Sequence, residues 1–181
     1  MRLFVALLPP QEAVLQLGAL VDRARALPGA GQLRWTERSG WHFTLAFLGE
    51  VDDALVPALE ARLALTAGEY AAFPLRIAGG GRFGDRALWA GAGGGVEAAG
   101  RLAAGVEAAA AEAGVPVGRE HPYVPHLTLA RGDGRTGLGP YAEALAGFVS
   151  SPWAVRELAL VRSGRQPRYE VVAAWPLGPG K

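Results

Sequence analysis

The pattern His-x-Thr-Leu occurs twice in the chain and contains two of its three histidines. The first copy places His42 two residues before Thr44, and the second, 84 residues later (126 − 42), places His126 two residues before Thr128. Both copies lie in apolar, strand-like surroundings. Because side chains alternate across a β-strand, histidine and threonine point to one face and their apolar neighbours to the other. Each segment is therefore predicted to be a strand that presents an imidazole and a hydroxyl on the face away from a core.

Two such strands facing each other would form a site with two imidazoles and two hydroxyls. Such a site can give a proton to one atom of a substrate and take a proton from another. A simpler interpretation is that the two histidines only make local hydrogen bonds. A metal site is a third interpretation, but it needs about three ligands, and His121 and His126 lie in a proline-containing stretch without a carboxylate pattern. We expect no metal and no cofactor.

The remaining sequence predicts an α+β fold with mostly antiparallel strands, since strand and helix patterns intermix and several strand pairs have short connections. Glycine clusters at 79–81, 93–95 and 132–134 are interpreted as turns. Strand patterns cover 3–8, 43–47, 74–78, 86–90, 126–130, 155–162 and 169–175. Helix patterns cover 11–26, 52–65, 96–113 and 141–148.

The order of these elements resembles a loose internal duplication, in which each His-x-Thr strand is followed by a helix. We therefore expect residues 1–181 to form a single domain of two similar lobes. A cleft would lie between the two lobes. The length of 181 residues fits this size.

The composition excludes several classes of function. Half of the residues are apolar, so the chain can form a packed interior, and the absence of cysteine excludes disulfides and thiolate catalysis. The net charge of +1 gives no global positive field for nucleic acid or membrane binding. The apolar run at 3–8 is too short for a membrane span. We expect a cytoplasmic monomer.

Arg131 follows the second motif closely, and two interpretations remain open for it. A guanidinium at the mouth of the site could hold a phosphate through charge-assisted hydrogen bonds. Alternatively, Arg131 is a surface residue at the end of a strand. Strict alternation would point its side chain away from that of His126, although Gly132 follows at once and would end the strand there.

The sequence resembles the two-histidine phosphoesterase superfamily, and within it the RNA 2′,3′-cyclic phosphodiesterases, also called 2′-5′ RNA ligases. The matching segments come in the family's order and span nearly the whole chain. They are Arg2-Leu3-Phe4-Val5-Ala6, the stretch from Trp41 to Val51, the stretch Pro125-His126-Leu127-Thr128-Leu129-Ala130-Arg131, and the ending from Tyr169 to Leu177. The stretch 121–124 departs most from the family, whose members often have a more basic segment there.

The resemblance implies two lobes, each an antiparallel sheet with helices outside, with the active-site cleft between them. It also implies metal-independent hydrolysis of 2′,3′-cyclic phosphate ends of RNA or nucleotides to a 2′-phosphate, and the same site could reversibly join such an end to a 5′-hydroxyl in a 2′-5′ linkage. It assigns acid and base catalysis to His42 and His126, in that order, although the residues alone leave the order open. It assigns phosphate contacts to Thr44, Thr128 and Arg131, and it places Phe47 near the nucleobase of the substrate. Two alternatives remain: a phosphodiesterase for small cyclic nucleotides or 2′-5′ oligonucleotides, and a non-catalytic module that binds RNA ends.

Overall fold

The structure is a computed structural model that describes residues 1–119 and 121–179, which form nine β-strands and four α-helices. The strands are β1 (Arg2–Leu7), β2 (Arg34–Trp35), β3 (Phe43–Glu50), β4 (Phe73–Phe83), β5 (Ala87–Gly94), β6 (His126–Arg131), β7 (Trp153–Val155), β8 (Glu157–Ser163) and β9 (Tyr169–Pro176). The helices are α1 (Gln11–Ala24), α2 (Val56–Glu69), α3 (Val96–Glu112) and α4 (Gly139–Leu145).

The strands form two antiparallel sheets. The first has four strands in the order β3-β1-β8-β9, and the second has five in the order β2-β6-β5-β4-β7. Neighbouring strands pair antiparallel throughout both sheets. The α+β prediction is therefore confirmed. His42 immediately precedes β3 in the first sheet, and His126 begins β6 in the second.

Helices cover one face of each sheet. Helices α2 and α3 pack on the first sheet, against β9 and β3, whereas α1 and α4 pack on the second, against β4. The apolar residues at helical spacing face inward, as Leu17 of α1 and Leu59 of α2 show by being completely buried. Burying one such leucine side chain stabilises the fold by about 1.5–3 kcal/mol. None of the described helices is long and apolar enough to cross a bilayer.

The strands that carry the two motifs have the predicted alternation at their start. Phe43 and Leu45 of β3, like Leu127 and Leu129 of β6, are almost fully buried in one apolar cluster that includes residues of both sheets. The intervening histidines and threonines are only partly buried. Core packing on one face of each strand therefore fixes which side chains the other face presents.

Two of the three glycine clusters are not turns, and that part of the prediction is wrong. Residues 79–81 lie inside β4, and 93 and 94 lie inside β5. The strand β4 shifts register between Ile77 and Gly80. A Cβ on Gly80 would lie 2.7 Å from the Trp89 carbonyl oxygen, and one on Gly81 would lie 2.5 Å from the Trp89 ring. These glycines therefore allow close approach of neighbouring groups within a sheet. The third cluster, 132–134, lies outside the strands as predicted.

Smaller differences concern element boundaries. The single strand predicted over 155–162 is divided, because β7 ends at Val155 and β8 begins at Glu157. Strand β2 was not predicted from the sequence, since two residues are too few to show alternation. Helix α2 begins at Val56 and not at Asp52, because a short 3-10 turn over Asp53–Leu55 precedes it.

Candidate functional site

A cleft of about 600 Å³ is lined by residues of both sheets. The predicted pairs His42 and Thr44 from one sheet, and His126 and Thr128 from the other, all line it. The structure therefore brings together the residues that the repeated motif singled out. Each pair stands opposite the buried face of its own strand, as alternation predicts.

A β-bulge in β3 sets the position of Phe47. Ala6 of β1 pairs with Thr44, and Val5 pairs with Ala46, so Leu45 is left without an opposite residue. The extra residue reverses the alternation after Thr44. Phe47 is consequently 65% exposed and lines the cleft with Thr44, although the two are three positions apart and strict alternation would place them on opposite faces.

The same irregularity occurs in β6. Trp89 of β5 pairs with Thr128, and Leu88 pairs with Ala130, so Leu129 is the extra residue. Arg131 therefore lines the cleft together with His126 and Thr128. The expectation from strict alternation, that Arg131 points away from His126, is wrong, because the bulge turns the side chain toward the cleft. The strand does end at Arg131, directly before Gly132, as expected.

The two imidazoles make equivalent hydrogen bonds. Nδ1 of His42 lies 2.7 Å from the carbonyl oxygen of Gly40, and Nδ1 of His126 lies 2.9 Å from that of Val124. A carbonyl oxygen only accepts, so Nδ1 of each ring carries the proton and donates it. In the neutral ring Nε2 is then unprotonated and can accept a proton, and in the charged ring Nε2 can donate one. The histidines do make local hydrogen bonds, as the simpler interpretation predicts. These bonds engage only Nδ1 of each ring, so Nε2 remains available for a substrate.

Aromatic side chains hold both imidazoles, and sequence reasoning did not identify them as site residues. The ring of Phe4 stacks on His42 with centroids 4.6 Å apart, and the ring of Tyr169 meets His42 edge-on at 5.3 Å. Phe83 meets His126 edge-on at 5.1 Å, and Trp89 lies at 6.0 Å. Packing of this kind restricts ring rotation. Phe4 and Tyr169 belong to segments of the family resemblance, but only the pairing of strands shows that they touch a histidine.

The pKa of His42 is lowered from the ordinary histidine value of 6.5, principally because burial disfavours the charged ring. The hydrogen bond to Gly40 acts in the opposite direction, and the charge of His126 lowers the pKa further. A positive charge on His126 thus disfavours a second positive charge on His42.

The cleft is positively charged. Three arginines, Arg2, Arg131 and Arg168, line it, and no carboxylate is among its described lining residues. Sequence reasoning identified only Arg131. The guanidinium of Arg168 lies over the ring of Tyr169, 5.5 Å from its centroid. In residues 1–119 and 121–179, no group of three His, Cys, Asp or Glu side chains is arranged to hold a metal ion.

The outer edge of β3 is closed by side chains from the segment that precedes β6. Arg119 donates to the carbonyl oxygen of Leu45 at 2.7 Å, and the Tyr123 hydroxyl donates to that of Thr44 at 2.9 Å. Arg119 also forms an ion pair with Glu107 of α3. Burial raises the pKa of Tyr123 above its ordinary value, which keeps the hydroxyl protonated. These two side chains therefore satisfy the carbonyls of an edge strand at the bulge that positions Phe47.

Two further cavities adjoin the cleft along different margins. The first, of about 570 Å³, is mainly apolar and shares Phe47, Phe83, Thr44 and His126 with the cleft. His121 is exposed and lines this cavity. The second, of about 760 Å³, shares Thr36, Gly40, Arg131, Arg168 and Tyr169 with the cleft and is lined further by Arg34 and Arg165.

Comparison with known proteins identifies the family. Residues 9–167 match the 2′-5′ RNA ligase superfamily. The chain belongs to this superfamily. The predicted family is therefore confirmed, and the two-lobe fold predicted with it agrees with the structures of relatives in this superfamily.

Among curated relatives, an RNA 2′,3′-cyclic phosphodiesterase of Geobacillus stearothermophilus is 34% identical over an alignment of 151 residues, with coverage of 79% of this chain and 47% of the relative. The chain thus spans about half the length of that protein. TT0787 of Thermus thermophilus has a similar structure, with a TM-score of 0.80 and 30% identity over 99% of this chain and all of the other. E. coli LigT complexed with 3′-AMP gives a TM-score of 0.77 and 26% identity over 97% of each chain.

Proposed function

We propose that this 2′-5′ RNA ligase superfamily member hydrolyses 2′,3′-cyclic phosphates at the ends of RNA or nucleotides, using His42 and His126 as an acid–base pair. The observation that carries the proposal is the pair of Nε2 atoms, each left available by an Nδ1 hydrogen bond, beside one positively charged cleft. The relative from G. stearothermophilus, described as an RNA 2′,3′-cyclic phosphodiesterase, supports the choice of substrate.

The reaction needs no covalent intermediate. A water oxygen attacks phosphorus in line with one ribose oxygen, a P–O bond to water forms, and the P–O bond to that ribose oxygen breaks. One neutral imidazole takes the water proton, and the protonated imidazole gives its proton to the departing ribose oxygen. Departure of the 3′ oxygen leaves a 2′-phosphate. With a 5′-hydroxyl attacking phosphorus in place of water, the same steps form a 2′-5′ linkage, and the 3′ oxygen again departs with a proton from the acid.

Phosphate binding falls to the groups around the two histidines. The hydroxyls of Thr44 and Thr128 can donate to the non-bridging oxygens, where negative charge lies in the transition state. Arg131 can form charge-assisted hydrogen bonds to the same oxygens. Phe47, at the margin shared with the apolar cavity, offers a ring on which a nucleobase can stack.

The lowered pKa of His42 bears on which imidazole is the acid. The family resemblance assigns the acid role to His42, but burial and the charge of His126 favour its neutral form. A neutral imidazole is the form that a base requires. Either histidine can be the acid, because in both cases the pair carries one proton. The resemblance places that proton on His42 before the reaction, whereas the lowered pKa of His42 favours its residence on the other ring.

The decisive experiment is incubation of the purified protein with adenosine 2′,3′-cyclic phosphate and with an RNA oligonucleotide that ends in the same group. Proton-coupled ³¹P NMR distinguishes the 2′-phosphate from the 3′-phosphate product. We expect release of the 2′-phosphate, abolished by His42→Ala and by His126→Ala. Binding of both ligands without turnover would instead support an RNA-end binding module, and turnover of only the mononucleotide would support a small-nucleotide phosphodiesterase.

A further inference from the structure

Two arginines face each other across neighbouring strands at the edge of the second sheet. Arg34 of β2 is the direct partner of Arg131 of β6 in the antiparallel register. Partners in this position project their side chains from the same face, and like charges placed so are destabilising. Neither arginine takes part in an ion pair within residues 1–119 and 121–179. The sheet thus carries an uncompensated pair of positive charges at the edge of the cleft.

The cavity beside this pair is strongly basic. Its wall contains Arg34, Arg131, Arg165 and Arg168, and a single carboxylate, Glu37. Arg165 also forms no ion pair among the described residues. The net charge of the whole chain is only +1, so the arginines of this cavity, named here the basic groove, are a local concentration and not a general property of the surface. A groove lined by one sign of charge attracts ligands of the other.

We propose that the basic groove binds the internal phosphodiesters on the 5′ side of the terminal nucleotide, so that the protein prefers RNA strands over mononucleotides. This inference rests on the proposed function, because it assumes that the cyclic phosphate lies between His42 and His126. Arg131 and Arg168 line both the cleft and the groove, whereas Arg34 and Arg165 line only the groove. The two shared arginines therefore continue the positive charge of the cleft into the groove.

The opposite margin of the cleft explains why the strand would leave toward the groove. Phe47 and Phe83 separate the cleft from the apolar cavity, whose wall also includes Tyr123. The apolar cavity and the basic groove have no lining residue in common among those that the structure describes. A nucleobase stacks on aromatic rings, and a backbone phosphate prefers arginine. The terminal base is therefore placed toward Phe47 and the preceding phosphates toward Arg34 and Arg165.

The test compares two substrates and two variants. The substrates are adenosine 2′,3′-cyclic phosphate and the trinucleotide ApApA with the same cyclic end. The first variant, Arg34→Ala combined with Arg165→Ala, removes the arginines that line only the groove. The second, Arg135→Ala, is a matched control, because the side chain of Arg135 is 90% exposed and lines neither the cleft nor the groove.

We expect the unmodified protein to have a kcat/KM about tenfold higher for the trinucleotide than for the mononucleotide, as two exposed charge contacts would give. The groove variant should lose that preference while its kcat/KM for the mononucleotide stays within about twofold. For the trinucleotide, the slope of log(kcat/KM) against log[salt] should also become less steep by about 1.4, which is roughly 0.7 for each lost contact with a single-strand phosphate. The control should behave as the unmodified protein.

Equal effects of the groove variant on both substrates, or no effect on either, would overturn the inference while leaving the proposed function intact. A 5′-phosphorylated adenosine 2′,3′-cyclic phosphate provides a further arm. If it alone regains the whole preference, the groove holds one phosphate and the strand proposal is wrong.

If neither substrate is hydrolysed, the proposed function fails. Fluorescence anisotropy with a 2′-phosphorylated trinucleotide still tests the groove in that case, since only the groove variant should bind this ligand about tenfold more weakly.

Discussion

Phe47 and Arg131 occupy matching positions in their strands, each two residues after the extra residue of a β-bulge and each facing the same cleft. Each strand also contributes one histidine and one threonine, but one then presents an aromatic ring and the other a guanidinium. The proposed catalytic centre, whose two halves are nearly equivalent, thereby gains a direction. A nucleotide has an aromatic base that can stack on Phe47 and a charged phosphate that can pair with Arg131, so it can satisfy both residues in only one orientation.

Replacing either histidine by alanine should abolish most of the hydrolysis. General acid–base groups contribute about 10²–10⁴-fold each, and both imidazoles line the cleft with Nδ1 engaged by a carbonyl oxygen, which leaves Nε2 for proton transfer. We expect His42→Ala and His126→Ala each to lower kcat by at least about 10²-fold, with thermal unfolding showing that both variants remain folded. A substrate with a p-nitrophenol leaving group should restore the variant that lacks the acid, because that group departs without a proton. A variant that keeps more than about a tenth of the original rate would contradict the paired mechanism.

The rate of hydrolysis should show a bell-shaped dependence on pH, because only the singly protonated pair is active. Burial and the charge of His126 lower the pKa of His42 below the ordinary value of 6.5. The doubly protonated pair therefore loses its first proton below pH 6.5, and the acid limb of the profile should lie there. The profile of kcat/KM for adenosine 2′,3′-cyclic phosphate measures this limb. A rate that rises steadily to about pH 10 would indicate hydroxide attack instead.

The electrostatic coupling itself can be measured in a variant. His126→Gln removes the neighbouring positive charge, so the pKa of His42 should rise relative to that in the unmodified protein. Titration of the His42 ring protons by NMR gives both values. His121→Gln is the matched control, because His121 lies in the adjoining cavity and is not among the groups that shift the pKa of His42. Equal effects of the two substitutions would show that the coupling to His126 is absent.

Hydrolysis should survive exhaustive chelation. The described residues offer no set of three metal ligands, and the proposed steps use only the imidazoles and hydrogen-bond donors. Activity measured before and after dialysis against EDTA should agree within about twofold. Loss of activity on chelation, followed by recovery with zinc or manganese, would overturn the metal-independent mechanism.

Arg131→Lys should be harmful although it keeps the charge, because an ammonium cannot reproduce the forked contact of a guanidinium with phosphate. Loss of one charge-assisted hydrogen bond costs about 1.5–3 kcal/mol, or roughly 10–150-fold in kcat/KM. Arg131→Ala should be at least as severe. The kinetics of both variants on adenosine 2′,3′-cyclic phosphate decide the matter, and wild-type rates in both would show that the threonines and imidazoles hold the phosphate alone.

The hydroxyl of Tyr123 should matter for the site through the backbone of β3. Tyr123→Phe removes its hydrogen bond to the Thr44 carbonyl, and we expect a loss of about 0.5–1.5 kcal/mol in the free energy of unfolding. Chemical denaturation measures this loss. Tyr70→Phe is the control, because the Tyr70 hydroxyl makes no hydrogen bond within the described residues. Equal stability of the two variants would show that the bulge does not depend on Tyr123.

The sequence by itself determined the faces of the two motif strands. Burial of Phe43 and Leu127 fixes where His42 and His126 point, since alternation is a local property of any strand with one apolar face. The family followed from four short segments distributed along the chain, and the α+β fold followed from the strand and helix patterns between them. These features depend on residues close together in the chain, and a pattern of spacing is enough to find them.

Tertiary structure decided the rest of the site. The bulges that turn Phe47 and Arg131 into the cleft arise from register between strands, and register is not visible in one strand's own sequence. The glycines of β4 looked like a turn because their real neighbour, the Trp89 ring, comes from another strand. Phe4, Tyr169, Phe83 and Trp89 reach the histidines across strands, and Arg34 meets Arg131 only through the pairing of β2 with β6. Contacts between residues far apart in the chain are set by how the sheets assemble, which is why only the folded structure reveals them.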